Sequence, residues 1–177
     1  HRLIRRQRQM CIRDSYIPNR FKDGYGPNID VYKRLIAEGA QIIVTVDNGV
    51  SGHEAVAYAM SQGVDVIITD HHEMPPTLPE AYAIVHPRHP DGHYPFDDLS
   101  GVGVAFKVAQ ALLTDGQSIT DKSELPTEML DLVALGEIAD MVSLTDENRT
   151  LVSWGLKQIN DNPRPGLVAL LKNAGQM

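Results

Sequence analysis

The sequence predicts an α/β domain, a parallel sheet flanked by helices, that passes into a helical carboxyl-terminal part. Three observations carry this. Two short apolar runs rich in β-branched residues, 41–46 (QIIVTV) and 64–69 (VDVIIT), are separated by 17 residues, enough for a parallel crossover. Each run stops in a polar cluster, Asp47-Asn48-Gly49 after the first and Asp70-His71-His72-Glu73 after the second. From residue 99 onward the apolar residues recur at helical spacing, the pattern of packed helices rather than strands.

Residues 16–26 (YIPNRFKDGYG) are rich in turn formers and read as a strand end followed by a loop. Val31, Leu35 and Ile36 predict a short amphipathic helix that Gly39 stops. After the first strand, Ser51 and Glu54 form a capping-box signature, and a helix continues through 55–60 to Gly63. The second strand follows at once and is expected to be buried, as parallel strands are. Pro75, Pro76 and Pro79 then break the chain, 82–85 is a further strand, and a loop holding His86, His89 and His93 comes next. The prolines and glycine between these histidines prevent regular spacing on one face, which argues against a metal site there.

Residues 99–113 (LSGVGVAFKVAQALL) open in a glycine-rich turn and become an apolar helix. Those glycines suit either a phosphate at the helix amino-terminus or close packing on the sheet, and packing is the simpler default. Residues 114–125 form a polar linker. Pro126 opens a helix over 126–142 whose Met129, Leu132, Val133 and Leu135-Gly136 predict near-complete burial. Asp140 stands in its apolar carboxyl end, either as a cap or surface residue of the helix end or as a buried carboxylate, which needs a partner or a metal. Asp146 is placed to cap the next helix, through Leu151, Val152, Trp154 and Ile159; 162–166 (NPRPG) ends it and a last helix runs from Leu167 towards Gly175.

Length and composition fit one soluble globular domain, no apolar run approaches a membrane span, and no secretory pattern opens the chain. A single cysteine, Cys11, excludes an intramolecular disulfide framework and fits a cytoplasmic location. Charge is uneven. Five arginines crowd residues 1–14 against one acid, Asp14, which leaves 11 basic and 22 acidic residues of the chain's 16 and 23 for the remainder. An acidic remainder argues against a broad basic surface for nucleic acid. The arginine-rich segment reads either as a basic arm for nucleic acid or as foreign or mispredicted sequence joined to a domain that begins near Tyr16.

The strongest functional inference is geometric. Side-by-side parallel strands lie about 4.8 Å apart, so Asp47 and Asp70-His71 leave neighbouring strand ends in the same direction. A carboxylate and an imidazole converge there from 24 residues apart, at the edge where open α/β sheets place ligands.

These residues carry a family resemblance. VDNGVSG at 46–52, TDHHE at 69–73, YPFDDLSGVGVAFK at 94–107 and LGEIADMVSLTDENR at 135–149 resemble the DHH phosphoesterase superfamily. Within it they resemble the RecJ-type exonucleases, which degrade single-stranded DNA from its 5′ end. Asp-His-His alone would also suit family II pyrophosphatases or nano-RNA phosphodiesterases. The resemblance implies two divalent cations, Mn2+ or Mg2+, with Asp47 bridging them and His71 and Asp140 as further ligands. It implies that His72 meets the substrate phosphate, that the catalytic Asp70 orients its neighbours, and that Arg20 contacts a DNA phosphate. Single-stranded DNA is the implied partner, with other repair proteins beside it and no membrane.

Departures from the pattern set further expectations. The family's first motif, Asp-x-Asp, belongs roughly 25 residues before Pro-Asn-Arg, whereas only 17 residues precede Pro18. Residues 1–15 are therefore read as non-native and 16–177 as an incomplete DHH domain, without the first motif, the DHH-associated domain and the OB domain. Glu137 stands where a small residue is expected. The chain is expected to be a weakly active or inactive fragment of the exonuclease; the alternatives are a DHH phosphodiesterase of short oligonucleotides or nucleotides, and a non-catalytic DHH-like binding module.

Overall fold

The β-α-β unit forms as predicted. The structure is a computed structural model that describes residues 14–114 and 127–175; the basic segment through residue 13, most of the polar linker and Pro126 lie outside the described residues. In chain order the elements are α1 (Ile29–Ala37), β1 (Ile42–Val46), α2 (His53–Ser61), β2 (Asp65–Thr69), β3 (Ala83–Val85), α3 (Gly101–Leu113), a 3₁₀ turn (Thr127–Met129), α4 (Leu130–Ala139), α5 (Asp146–Asp161) and α6 (Pro165–Asn173). The sheet order is β1-β2-β3, all parallel. Ile42 pairs with Asp65 and Val46 with Thr69, so both strands end level and their polar clusters emerge side by side.

Two cores result. Tyr32, Ile43, Ala55, Val56, Ala59, Val64, Val66 and Ile68 pack α1 and α2 against one face of the sheet. Leu99, Val104, Phe106, Leu130, Val133 and Leu151 join α3, α4 and α5. Removing such side chains from water is the main term favouring the fold. Among the described residues no helix is long and apolar enough to cross a membrane.

Several local expectations are corrected. Residues 16–26 hold no strand; Asn19 Oδ1 instead accepts the amides of Phe21 and Lys22 and builds a turn. The Ser51–Glu54 box does not form. Helix α2 starts from Gly52, one residue later, without a side-chain cap, and Gly52 lies so close to Pro27 that a Cβ there would sit 2.5 Å from the proline Cγ. Asp146 is the first helical residue of α5, not its cap. The extended backbone that a cap needs falls at Thr145 (φ −114°, ψ 167°). Burial of the helix over 126–142 is also less complete than predicted, Leu132, Leu135 and Ile138 forming an exposed stripe on α4. Strand β1, at the edge of the sheet among the described residues, leaves Ile42, Val44 and Val46 exposed. The helices α3 and α5 cover only the other sides of α4, and no described element covers the outer part of β1.

Gly155 marks the closest helix approach. A Cβ at this position would meet the Leu130 carbonyl oxygen at 2.1 Å and the Ala134 Cβ at 2.5 Å. A helical Gly→Ala change ordinarily stabilises by about 1 kcal/mol. Here Gly155→Ala is expected to destabilise by about 1–3 kcal/mol, the cost of overpacking, read as a lowered urea midpoint. An unchanged or raised midpoint rejects the close α4–α5 crossing.

Candidate metal centre

Asp47 continues the β1 line by one bond, its amide donating to the Thr69 carbonyl at 3.0 Å. It then turns into the left-handed region (φ 63°). Few side chains tolerate that region; Asp and Asn do. The loop closes through Gly49 (φ 123°), where a Cβ would meet Thr45 Oγ1 at 2.6 Å, and this aims the Val50 amide back at β2.

The receiver is Asp70, which is 1% exposed. Its Oδ2 accepts the Val50 amide at 3.0 Å. Its Oδ1 accepts the amides of His71 (2.8 Å) and His72 (3.2 Å) and the Nδ1–H of His72 at 2.6 Å. Burial pushes this carboxyl towards a higher pKa, but the hydrogen bonds from Val50, His72 and His71 outweigh it and hold the group below its ordinary value. Asp70 is thus an anion whose donors come from both strand ends.

His71 and His72 have opposite surroundings. The Nε2 of His71 is buried without a hydrogen-bond partner. It nevertheless lies 3.1 Å from Asp47 Oδ1 and 3.4 Å from Asp140 Oδ2. A buried ring nitrogen facing two carboxylates is unfavourable unless a cation or proton lies among them. Asp140 is the C-cap of α4, where the helix dipole already disfavours negative charge and a bound cation relieves it. In His72, by contrast, Nδ1 is held by Asp70 and Nε2 meets the Tyr25 hydroxyl at 2.8 Å. Ligand atoms of Asp47, His71 and His72 also fall within 4.8 Å of one another. Both His72 nitrogens have partners, whereas Asp47 and Asp140 face the unpartnered Nε2 of His71, so these three groups could hold a cation. Carboxylate oxygens with one imidazole suit Mn2+ or Mg2+.

Five of the six sequence-selected residues therefore meet here. Arg20 reaches them indirectly, its guanidinium 5.8 Å from the ring centroid of Tyr25. Tyr25 itself escaped the sequence reading. Its only signal was an aromatic between two glycines, both of which have φ 78°. The glycine-rich entrance of α3 is settled in favour of packing, with a specific neighbour. A Cβ on Gly101 would lie 2.3 Å from Asp47 Oδ1, so only glycine lets α3 abut the site carboxylate. The loop histidines form no cluster: His86 and His89 each accept a backbone amide through Nδ1.

Glu137 lies one turn before Asp140. It is fully buried and both its oxygens lack a hydrogen-bond partner. Burial pushes its pKa up to about 7; nearby Ser100 opposes this, and the negative charges of Asp140 and Glu147 reinforce it. A carboxyl raised from 4.5 in the unfolded chain imposes no penalty below that pH, a growing one up to pH 7, and the full one above. The full penalty is about 3 kcal/mol. Glu137→Gln is therefore expected to gain stability relative to the native chain as pH rises from 5 to 8, in urea unfolding with a chelator present. A gain that stays constant with pH, or shrinks, rejects the assignment.

The profile described as "DHH family, N-terminal domain" matches residues 3–137. The chain is 49% identical over 162 residues to the single-stranded-DNA-specific exonuclease RecJ of Bacillus subtilis (strain 168), covering 92% of this chain and 20% of that protein. It is 47% identical over 170 residues to the protein of the same name from Salmonella typhimurium (strain LT2), covering 92% and 30%. The chain thus spans less than a third of the length of these relatives. Among solved structures, that of exonuclease RecJ bound to manganese superposes with a TM-score of 0.76 at 34% identity, over 90% of this chain and 39% of that one. With the profile matching three quarters of its residues and the paired strand ends in place, the chain belongs to the DHH family.

Proposed function

We propose that the chain carries part of the active site of a metal-dependent exonuclease that hydrolyses phosphodiester bonds of single-stranded DNA from the 5′ end. The observation that carries this reading is the unpartnered, buried Nε2 of His71 between the carboxylates of Asp47 and Asp140. In this reading those three residues hold divalent cations, Mn2+ or Mg2+. Such cations lower the pKa of a bound water and neutralise charge on the attacked phosphoryl group.

The remaining residues bind and orient. The anionic Asp70 fixes His72 through Nδ1 and sets the direction in which its Nε2 edge, now against the Tyr25 hydroxyl, faces the exposed side of the site. Arg20, stacked near Tyr25, offers a planar fork of donors to a phosphate. Both lie on the exposed side of the site, where an extended strand can approach. The cations supply the positive charge that the acidic chain lacks. We also propose that residues 16–177 form an incomplete version of the domain. The outer edge of β1, unpaired among the described residues, with Ile42, Val44 and Val46 exposed, supports this, and weak activity in isolation is the outcome expected from it.

Calorimetry of the 177-residue chain is expected to show Mn2+ binding that weakens at least about tenfold in Asp47→Asn and Asp140→Asn, with melting temperatures no lower than native. With Mn2+ present, the chain is expected to shorten 5′-phosphorylated single strands slowly, and faster than it cleaves dinucleotides. A native chain that binds no Mn2+ overturns the metal reading. Preference for dinucleotides overturns the exonuclease reading in favour of a small-substrate phosphodiesterase.

A further inference from the structure

His86 directly follows β3, is only 6% exposed, and stands outside the group of Asp47, His71 and Asp140. Its two ring nitrogens have partners of fixed polarity. Nδ1 accepts the Arg88 amide at 3.0 Å, and Nε2 lies 2.8 Å from the His72 carbonyl oxygen. An amide only donates and a carbonyl only accepts, so Nδ1 carries the lone pair and Nε2 the hydrogen. The ring is neutral, in one tautomer. Two residues on, the Arg88 guanidinium donates from Nη2 to the His71 carbonyl at 2.8 Å.

Strand β2 ends at Thr69, so the carbonyls of His71 and His72 have no strand partner. One tripeptide, His86-Pro87-Arg88, takes both. From the other side the Asp70 carboxylate takes the amides of the same two residues. Every backbone polar group of the histidine pair is therefore held, and neither peptide plane can rotate without breaking a bond.

We propose that His86 and Arg88 are positioning residues, a backbone clamp that sets the directions of the His71 and His72 rings. The clamp acts through the two carbonyls and touches neither ring. Its bearing on metal binding rests on reading Asp47, His71 and Asp140 as the cation site. The bearing on ring orientation does not.

The test uses the metal-free 177-residue chain and two readouts. Nitrogen–proton correlation spectra of the imidazoles at pH 7 are expected to show His86 protonated on Nε2 alone. The His72 ring signals are expected to shift in His86→Ala and to return towards their native positions in His86→Gln, which carries an amide N–H towards the same carbonyl. Arg88→Ala, on an exposed side chain, frees the carbonyl of His71 and is expected to shift the His71 ring signals and to weaken Mn2+ binding, read from the free-ion electron paramagnetic resonance signal, about tenfold, the lower end of the range seen when groups that orient metal ligands are lost.

The clamp is overturned by an Nδ1–H tautomer at His86, by native His72 ring signals in folded His86→Ala, or by His72 signals as displaced in the Gln variant as in the Ala variant. If His86→Ala does not fold, Arg88→Ala decides, and unchanged His71 signals overturn the proposal. If the native chain binds no Mn2+, the metal reading fails alone. The clamp then stands or falls on whether the His71 and His72 ring signals move in the variants.

Discussion

The structure depends on one buried anion. Asp70 has almost no contact with water, yet four hydrogen bonds satisfy it, one from the loop after β1 and three from the residues that follow it. A carboxylate stripped of water is tolerated only when its lone pairs are taken up in this way. Satisfying it forces the two loops together. The register of β1 and β2 brings the loops level, and Asp70 joins them. Asp47, His71 and His72 then have little freedom about where their side chains go.

Around this anchor the site is electrostatically unbalanced. Asp47 and Asp140 face a ring nitrogen that has no partner, Asp140 ends a helix at its negative pole, and Glu137 lies buried one turn away. No lysine or arginine side chain pairs with Asp47 or Asp140 among the described ion pairs. By contrast, the buried Asp131 elsewhere in the chain has a bidentate partner in Arg164. The fold thus neutralises the buried Asp131 with an arginine, and leaves Asp47, after a strand, and Asp140, at a helix end, with the His71 ring as their partner among the described ion pairs.

Tight packing holds the surroundings in place. Gly101 lets α3 reach Asp47, Gly103 lets it pass Glu137, and Gly136 admits Val102. The helical layer is therefore pressed onto the site from behind, so small side-chain changes there are felt at the carboxylates. Interiors packed this closely transmit strain rather than absorb it. The open side, with Tyr25 and Arg20, has no such backing and is left to a ligand.

The parallel β-α-β unit, the strand-end positions of Asp47 and Asp70-His71-His72, and the helical second half were all legible in the residue pattern. These follow from local periodicity and β-branched runs, which act over a few residues. The apolar helix around it also singled out Asp140, whereas Glu137 stood out only as a departure from the family pattern. Which histidine nitrogen is left without a partner, the contact of Gly101 with Asp47 and that of Tyr25 with His72 became visible in the folded chain alone. The same holds for the His86 and Arg88 contacts, the exposed face of β1 and the failure of the Ser51 and Asp146 caps. Each of these is set by segments far apart in the chain whose approach distance, to a few tenths of an ångström, selects between a hydrogen bond, a cation site and a clash. Residue type and spacing carry no record of that distance.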